Sequence, residues 1–86
     1  MRLPVIRHLS NFIEENDEDF VHETIETLEN LTELSSIKDE ELDVIGELLS
    51  NMYGAIEVSK MMREDGVSQK EAANKFMKRV TGSIDT

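Results

Sequence analysis

From Asp39 to Asp65 apolar residues recur at helical spacing along the longest uninterrupted stretch of this chain. A helix of about 26 residues, rising 1.5 Å per residue, is a rod about 40 Å long, longer than either helix before it. Leu42, Ile45, Leu48, Leu49, Met52, Tyr53 and Ile56 share one side of it, flanked by Val44, Ala55 and Met62. Their arc spans roughly 180°, against the roughly 100° stripe of a helix packed on one side only. Such a rod needs cover from more than one direction. Beside the arc, Gly46, Ser50 and Gly54 form a ridge of small residues one turn apart, continued by Val58. A glycine inside a helix costs roughly 1 kcal/mol relative to alanine, which dispersion contacts with a closely approaching backbone offset. Two neighbours suit the ridge: the first or fourth helix of the same chain, or a second copy. Small size and the wide arc favour the second copy, and closed two-fold pairs are the commonest assemblies. Leu42, Ile45, Gly46, Leu49, Ser50, Tyr53 and Gly54 are therefore the expected homodimer interface.

Three further helices follow from the same spacing. The first spans about 3–15, with Pro4 in its opening turn, where a missing N–H does no harm. Val5, Ile6, Leu9, Phe12 and Ile13 lie on one side and Arg7, Asn11 and Glu14 opposite. "ENDED", Glu15 to Asp19, breaks the chain, and Asn16 or Asp17 caps a second helix over 17–34. Phe20, Ile25, Leu28 and Leu31 form its apolar stripe, widened by Val21 and Thr24. Ser36 or Asp39 caps the third helix, over 39–65, and Gly66 can end it in the left-handed region. The fourth spans 68–81, opened by a Ser68–Glu71 capping box with Val67 stapled to Ala72. Ala72, Ala73, Phe76 and Val80 make its narrow apolar face, with Met77 at the edge and Lys70, Lys75, Lys78 and Arg79 outward. Gly82 ends it, leaving 82–86 as a frayed tail. No strand alternation appears. The expected fold is all-α: a single domain over 1–86, a compact four-helix bundle with a long central third helix.

Charge is segregated. Residues 14–47 hold fourteen acids against Lys38 alone, while residues 60–80 hold six bases against three acids. The acidic middle repels nucleic acid and anionic membranes, so neither is an expected partner. Glu26, Glu29 and Glu33 point away from the apolar stripe of the second helix and form an acidic surface suited to a basic protein. No stretch approaches the roughly 20 apolar residues of a membrane span, and Arg7 and His8 interrupt any signal-like run near the start. A soluble cytoplasmic protein is expected.

Chemistry finds little footing. The chain has no cysteine, hence no thiolate nucleophile or thiolate metal site. Counted from Asp17, an EF-hand would need glycine and glutamate where His22 and Leu28 stand. Asp19 and His22 have the spacing of a bundle metal motif but fall on the solvent side with Glu26 and Glu33. His8 sits at the margin of the first helix with no partner at ligand spacing. There is no nucleophile elbow and no phosphate-cradling glycine loop. "REDGVSQKEAANKF" has the sound of a helix-turn-helix, but no recognition helix follows it. The methionines suit gap-filling in a core. No enzyme, metal or cofactor is expected.

"MRLPVIRHLSNFIEENDEDF" and "KDEELDVIGELLSNMYGAIEV" resemble a family of short all-helical bacterial proteins of unknown function, similar in length and covered almost end to end. The ungapped span from Leu42 to Val58 is the specific part. The resemblance implies a bacterial cytoplasmic protein, loosely tied to thioredoxin-fold and peroxiredoxin neighbours, and transfers no site residue. Without cysteine, any such accessory role runs through binding and not thiol exchange. The expected function is a non-enzymatic, acidic interaction module that self-associates through its third helix. The alternatives are an acidic mimic of nucleic acid that inhibits a DNA- or RNA-binding protein, and a cysteine-free accessory of a thioredoxin-fold or peroxiredoxin partner.

Overall fold

Local chemistry decides where each helix begins. The computed structural model describes residues 1–85, with side chains through Thr81, and contains α1 (Leu3–Glu15), α2 (Asp19–Leu31), α3 (Asp39–Asp65) and α4 (Gln69–Asp85). Pro4 sits in the first turn of α1, where the backbone N–H it lacks has no intrahelical acceptor. Asp17 starts α2 by accepting the Asp19 N–H on Oδ1 at 3.0 Å. At the head of α3 the cap is Lys38, not Ser36 or Asp39. Its N–H donates to Glu41 Oε1 at 2.9 Å, and because a lysine side chain has no acceptor, only this returning half of a capping box forms. Asp39, Glu40 and Glu41 then occupy the first turn, where the helix dipole favours acids. Ser68 Oγ accepts the Glu71 N–H at 3.2 Å at the start of α4.

The ends differ more from expectation. Gly66 closes α3 as expected, at φ 65°, with its N–H on the Met62 carbonyl at 3.1 Å. α2 stops at Leu31, short of Leu34. Its last turn holds no cation to meet the negative end of the dipole, and Thr32 Oγ1 donates to the Glu29 carbonyl at 2.6 Å; single turns then lead to Ile37. α4 runs on to Asp85 instead of ending at Gly82, since a glycine weakens a helix without forbidding it. Of the expected tail, Thr86 lies outside the described residues.

Side-chain pairs give the helix directions. Arg2 N–H donates to Asn51 Oδ1 at 2.7 Å, the Ser10 and Ser59 hydroxyls share a bond at 3.0 Å, and Arg63 lies 3.8 Å from Glu14. Numbers rise together in all three pairs, so α1 and α3 run parallel. Glu18 with Arg63 and Glu29 with Tyr53 place α2 antiparallel to α3. Gln69, donating to Asn11 Oδ1 at 2.7 Å and to the Arg7 carbonyl, anchors the start of α4 against α1. α3 touches all three other helices, and α1 and α4 also touch each other, whereas α2 packs chiefly on α3. The bundle is thus a triad of α1, α3 and α4 with α2 leaning on one side of the central rod. Its Cα extents are 44 × 35 × 18 Å, a plate about two helix layers thick. Its radius of gyration, 14.0 Å, exceeds the roughly 12 Å typical of a chain this long.

The core lies along α3 and takes residues from all four helices. Ile6, Ile13, Val21, Ile25, Ala55, Val58, Ala72, Ala73 and Phe76 are buried together. The buried residues in the middle of α3 are mostly small, Gly54, Ala55, Val58 and Ser59, with Gly54 under Ile6 of α1 and Phe76 of α4 and Ser59 bonded to Ser10 of α1. A Cβ on Gly54 would lie 3.0 Å from Ile6 Cδ1 and 3.2 Å from Phe76 Cε2. Gly54 therefore serves the crossing of α1 and α4 over α3 within one chain, and the ridge expected to receive a second copy does not extend to it. Three polar side chains, Ser10, Asn51 and Ser59, share this interior, each hydrogen-bonded; Asn51 also donates to the Glu47 carbonyl at 2.8 Å.

Candidate functional site

Because α1 and α4 pack on the small-residue side of α3, the broad apolar arc is left mainly to α2, which is short. The arc is therefore covered unevenly. Ile45 is buried, and Leu42, Leu49, Met52 and Ile56 are half-buried. Leu48 and Tyr53 stand 41% and 49% exposed, and Val44, on the flank, 59%. Gly46 is exposed with nothing near the point where a Cβ would lie, and Ser50 is half-buried.

Two apolar depressions result. At one end Leu31, Ile37, Val44 and Ile45 line a groove of about 420 Å³ edged by Glu40 and Glu41, with exposed Leu34 following α2. At the other, α1 and α2 part over α3 to leave a cleft of about 300 Å³, lined by His8, Leu9, Phe12, Phe20, Val21, Thr24 and Met52. Phe12 and Phe20 meet edge to face across it, ring centroids 6.1 Å apart. Both were expected in the apolar stripes of their helices, yet Phe12 is 39% and Phe20 56% exposed. The stripe of α2 is rotated so that Val21 and Ile25 face inward and Phe20 and Leu31 lie on its margin.

Glu26 and Glu29 are exposed on α2, whereas Glu33, expected on the same helix, is exposed in the turn after it because α2 ends at Leu31. Glu29 accepts the Tyr53 hydroxyl at 2.9 Å, and this bond to a carboxylate holds the phenol above the usual tyrosine range. Glu18 meets His22 Nε2 at 2.8 Å and Arg63 at 2.9 Å; the His22 bond above all holds its carboxyl below the usual glutamate range, burial opposes it, and Arg63 adds to the lowering. His22 is thus tied to Glu18, one turn back on its own helix. Among the described residues no three His, Asp or Glu gather as a metal would require, and no helix is long and apolar enough to cross a membrane.

The model of a family of unknown function, DUF6952, matches residues 1–85. The chain belongs to the DUF6952 family. No curated protein and no solved structure matches it.

Within this DUF6952 chain, the expected interface residues divide between two settings. Leu42, Ile45 and Leu49 line or support the arc left to α2, whereas Gly54 belongs to the interior. Leu31, Phe12 and Phe20, expected in apolar stripes, lie at the surface, and Val44 and Leu48, on the arc and its flank but not among the chosen interface residues, are exposed too. The signal that locates the interior was present in the sequence. Gly54, Ala55, Val58 and Ser59 repeat as adjacent pairs one turn apart, a seam of small side chains that an apolar wheel does not score.

Proposed function

We propose that this DUF6952 protein is a non-enzymatic helical interaction module. It self-associates through the N-terminal half of α3 and the end of α2, and it offers the acids Glu26, Glu29 and Glu33 to a basic protein. The observation that carries the reading is the row Val44 and Leu48, one turn apart on α3 and exposed beside the Leu31–Ile37 groove. Apolar surface of this kind, rimmed by polar residues, is characteristic of interaction sites, and burying it removes roughly 25 cal/mol per Å² of unfavourable hydration. The plate-like shape supports the same view, because a fold two helix layers thick leaves an uncovered side that a copy related by a two-fold axis can meet.

Hydrogen exchange followed across a protein-concentration series tests the proposal. Amides between Glu40 and Leu49 should gain protection as concentration rises, while those of α4 stay unchanged. Protection that is independent of concentration along all of α3 removes the self-association.

A further inference from the structure

We infer that the cleft between α1 and α2 is a docking groove for an amphipathic helix of another protein, one whose apolar stripe is bordered by Lys or Arg. The inference rests on the interaction-module reading but places the partner on different residues from the Glu26, Glu29 and Glu33 face.

The shape of the cleft points to a helix. Leu9 and Phe12 on α1 and Phe20 on α2 line it above Met52, and a shallower depression on the surface of α2 alone, lined by Phe20, Glu23, Thr24, Thr27 and Leu28, adjoins it. From Phe20 to Leu28 is about 12 Å along α2, a little over two turns. With Phe12 and Phe20 in contact, a guest helix lies over this track and not between the walls, setting apolar anchors at i, i+4 and i+7 against Phe20, Thr24 and Leu28.

The charge of the rim selects the guest. Asp17, Asp19 and Glu23 gather around Phe20 at the mouth, and Glu23 also borders the continuation along α2. Among the described residues no cation pairs with Asp19 or Glu23. Arg63 is engaged with Glu14 and Glu18, and His8 is the one basic side chain in the wall. A Lys- or Arg-flanked helix places its charges against these acids, while a Glu-flanked one meets like charge. A second copy cannot supply the guest. Its one basic helix, α4, already buries Ala72, Ala73 and Phe76 in its own core.

Selection from a displayed library of helical peptides against the immobilised full chain tests this. Enriched peptides should carry apolar residues at i, i+4 and i+7 bordered by Lys or Arg. Their affinity should fall about tenfold or more on Phe20→Ser and on Glu23→Lys, equivalent to about 1.4 kcal/mol or more. Val44→Glu, on the self-association surface, should leave it unchanged. Phe20 is exposed, so its replacement spares the core. The inference is overturned if nothing is enriched, if the enriched peptides are acidic or extended, or if Val44→Glu abolishes capture. It is equally overturned if an apolar dye fills the cleft and no peptide competes, or if Phe20→Ser dissolves the self-complex, which would make the second copy the occupant.

Discussion

Ile6 fills the space that a side chain on Gly54 would need: its Cδ1 stands 3.0 Å from the position of a Cβ there, with Phe76 Cε2 at 3.2 Å on the other side. Glycine at this point lets α1 and α4 close on α3. Gly54→Leu should therefore lower folding stability by about 1–3 kcal/mol through overpacking, with no selective effect on self-association. Gly46→Ala should do the reverse and add about 0.5–1 kcal/mol, since nothing surrounds that position and alanine is the better helix former. Urea denaturation of both variants measures the pair. A Gly54→Leu protein as stable as the parent contradicts the crossing.

Ser10 and Ser59 form a second internal link. Their hydroxyls bond at 3.0 Å with no exposed surface on either residue. Ser59→Ala should cost about 1 kcal/mol, because it leaves the Ser10 hydroxyl with only the weak acceptor Met62 Sδ at 3.8 Å. Ser10→Ala together with Ser59→Ala should cost less than the sum of the single changes. A double-mutant cycle by denaturation decides this, and strict additivity would show that the two hydroxyls are independent.

Helix number and most helix starts were legible in the sequence, because apolar period, Pro4, Asp17, Gly66 and Ser68 each act locally. The facing of α3 was not. Its large apolar arc reads as the interior side, yet helices come closest where side chains are smallest, so α1 and α4 chose Gly54, Ala55, Val58 and Ser59. Nothing in the sequence marks Ser10, Asn51 and Ser59 as buried, because their polarity says nothing about partners far along the chain. Phe20 reads as core because α2 is apolar there, and only the placement of α2 at the edge of the triad exposes it. The interface expected on the arc and its neighbouring small ridge splits along the rod: at Gly54 the ridge is closed by Ile6 and Phe76, while Gly46, Val44 and Leu48 in the N-terminal half stay exposed.

Glu18 joins the α1–α2 turn to α3 through Arg63, and its carboxyl is held below the ordinary glutamate value of about 4.3 by His22 and Arg63. A group whose folded value is depressed contributes stability above its unfolded value and loses it as pH falls through the folded one. The parent should therefore be more stable than Glu18→Gln near neutrality, by up to about 1 kcal/mol for so exposed a pair, and the difference should fade as pH falls from about 4.3 through the depressed folded value. Thermal melts of both proteins against pH measure it. A difference that persists unchanged in acid contradicts the assignment.

Tyr53 is the single tyrosine of the chain, so its ionisation can be read directly by ultraviolet titration. With Glu29 accepting its hydroxyl, it should titrate above free tyrosine, and Glu29→Gln should bring it back toward the usual range. The raised value means that this contact supports the fold below the unfolded tyrosine range and ceases to do so as pH rises through the folded value. Identical titrations in parent and variant would separate α2 from α3 at this point.

Val44 and Leu48 give the most direct test of the proposed self-association, because both are exposed and neither supports the core. Sedimentation equilibrium at micromolar concentration should return twice the chain mass of 9.8 kDa for the parent and the single mass for Val44→Glu combined with Leu48→Glu, with helicity and melting temperature of the folded chain retained. A parent protein that sediments as a monomer throughout, or a double variant that still pairs, contradicts it.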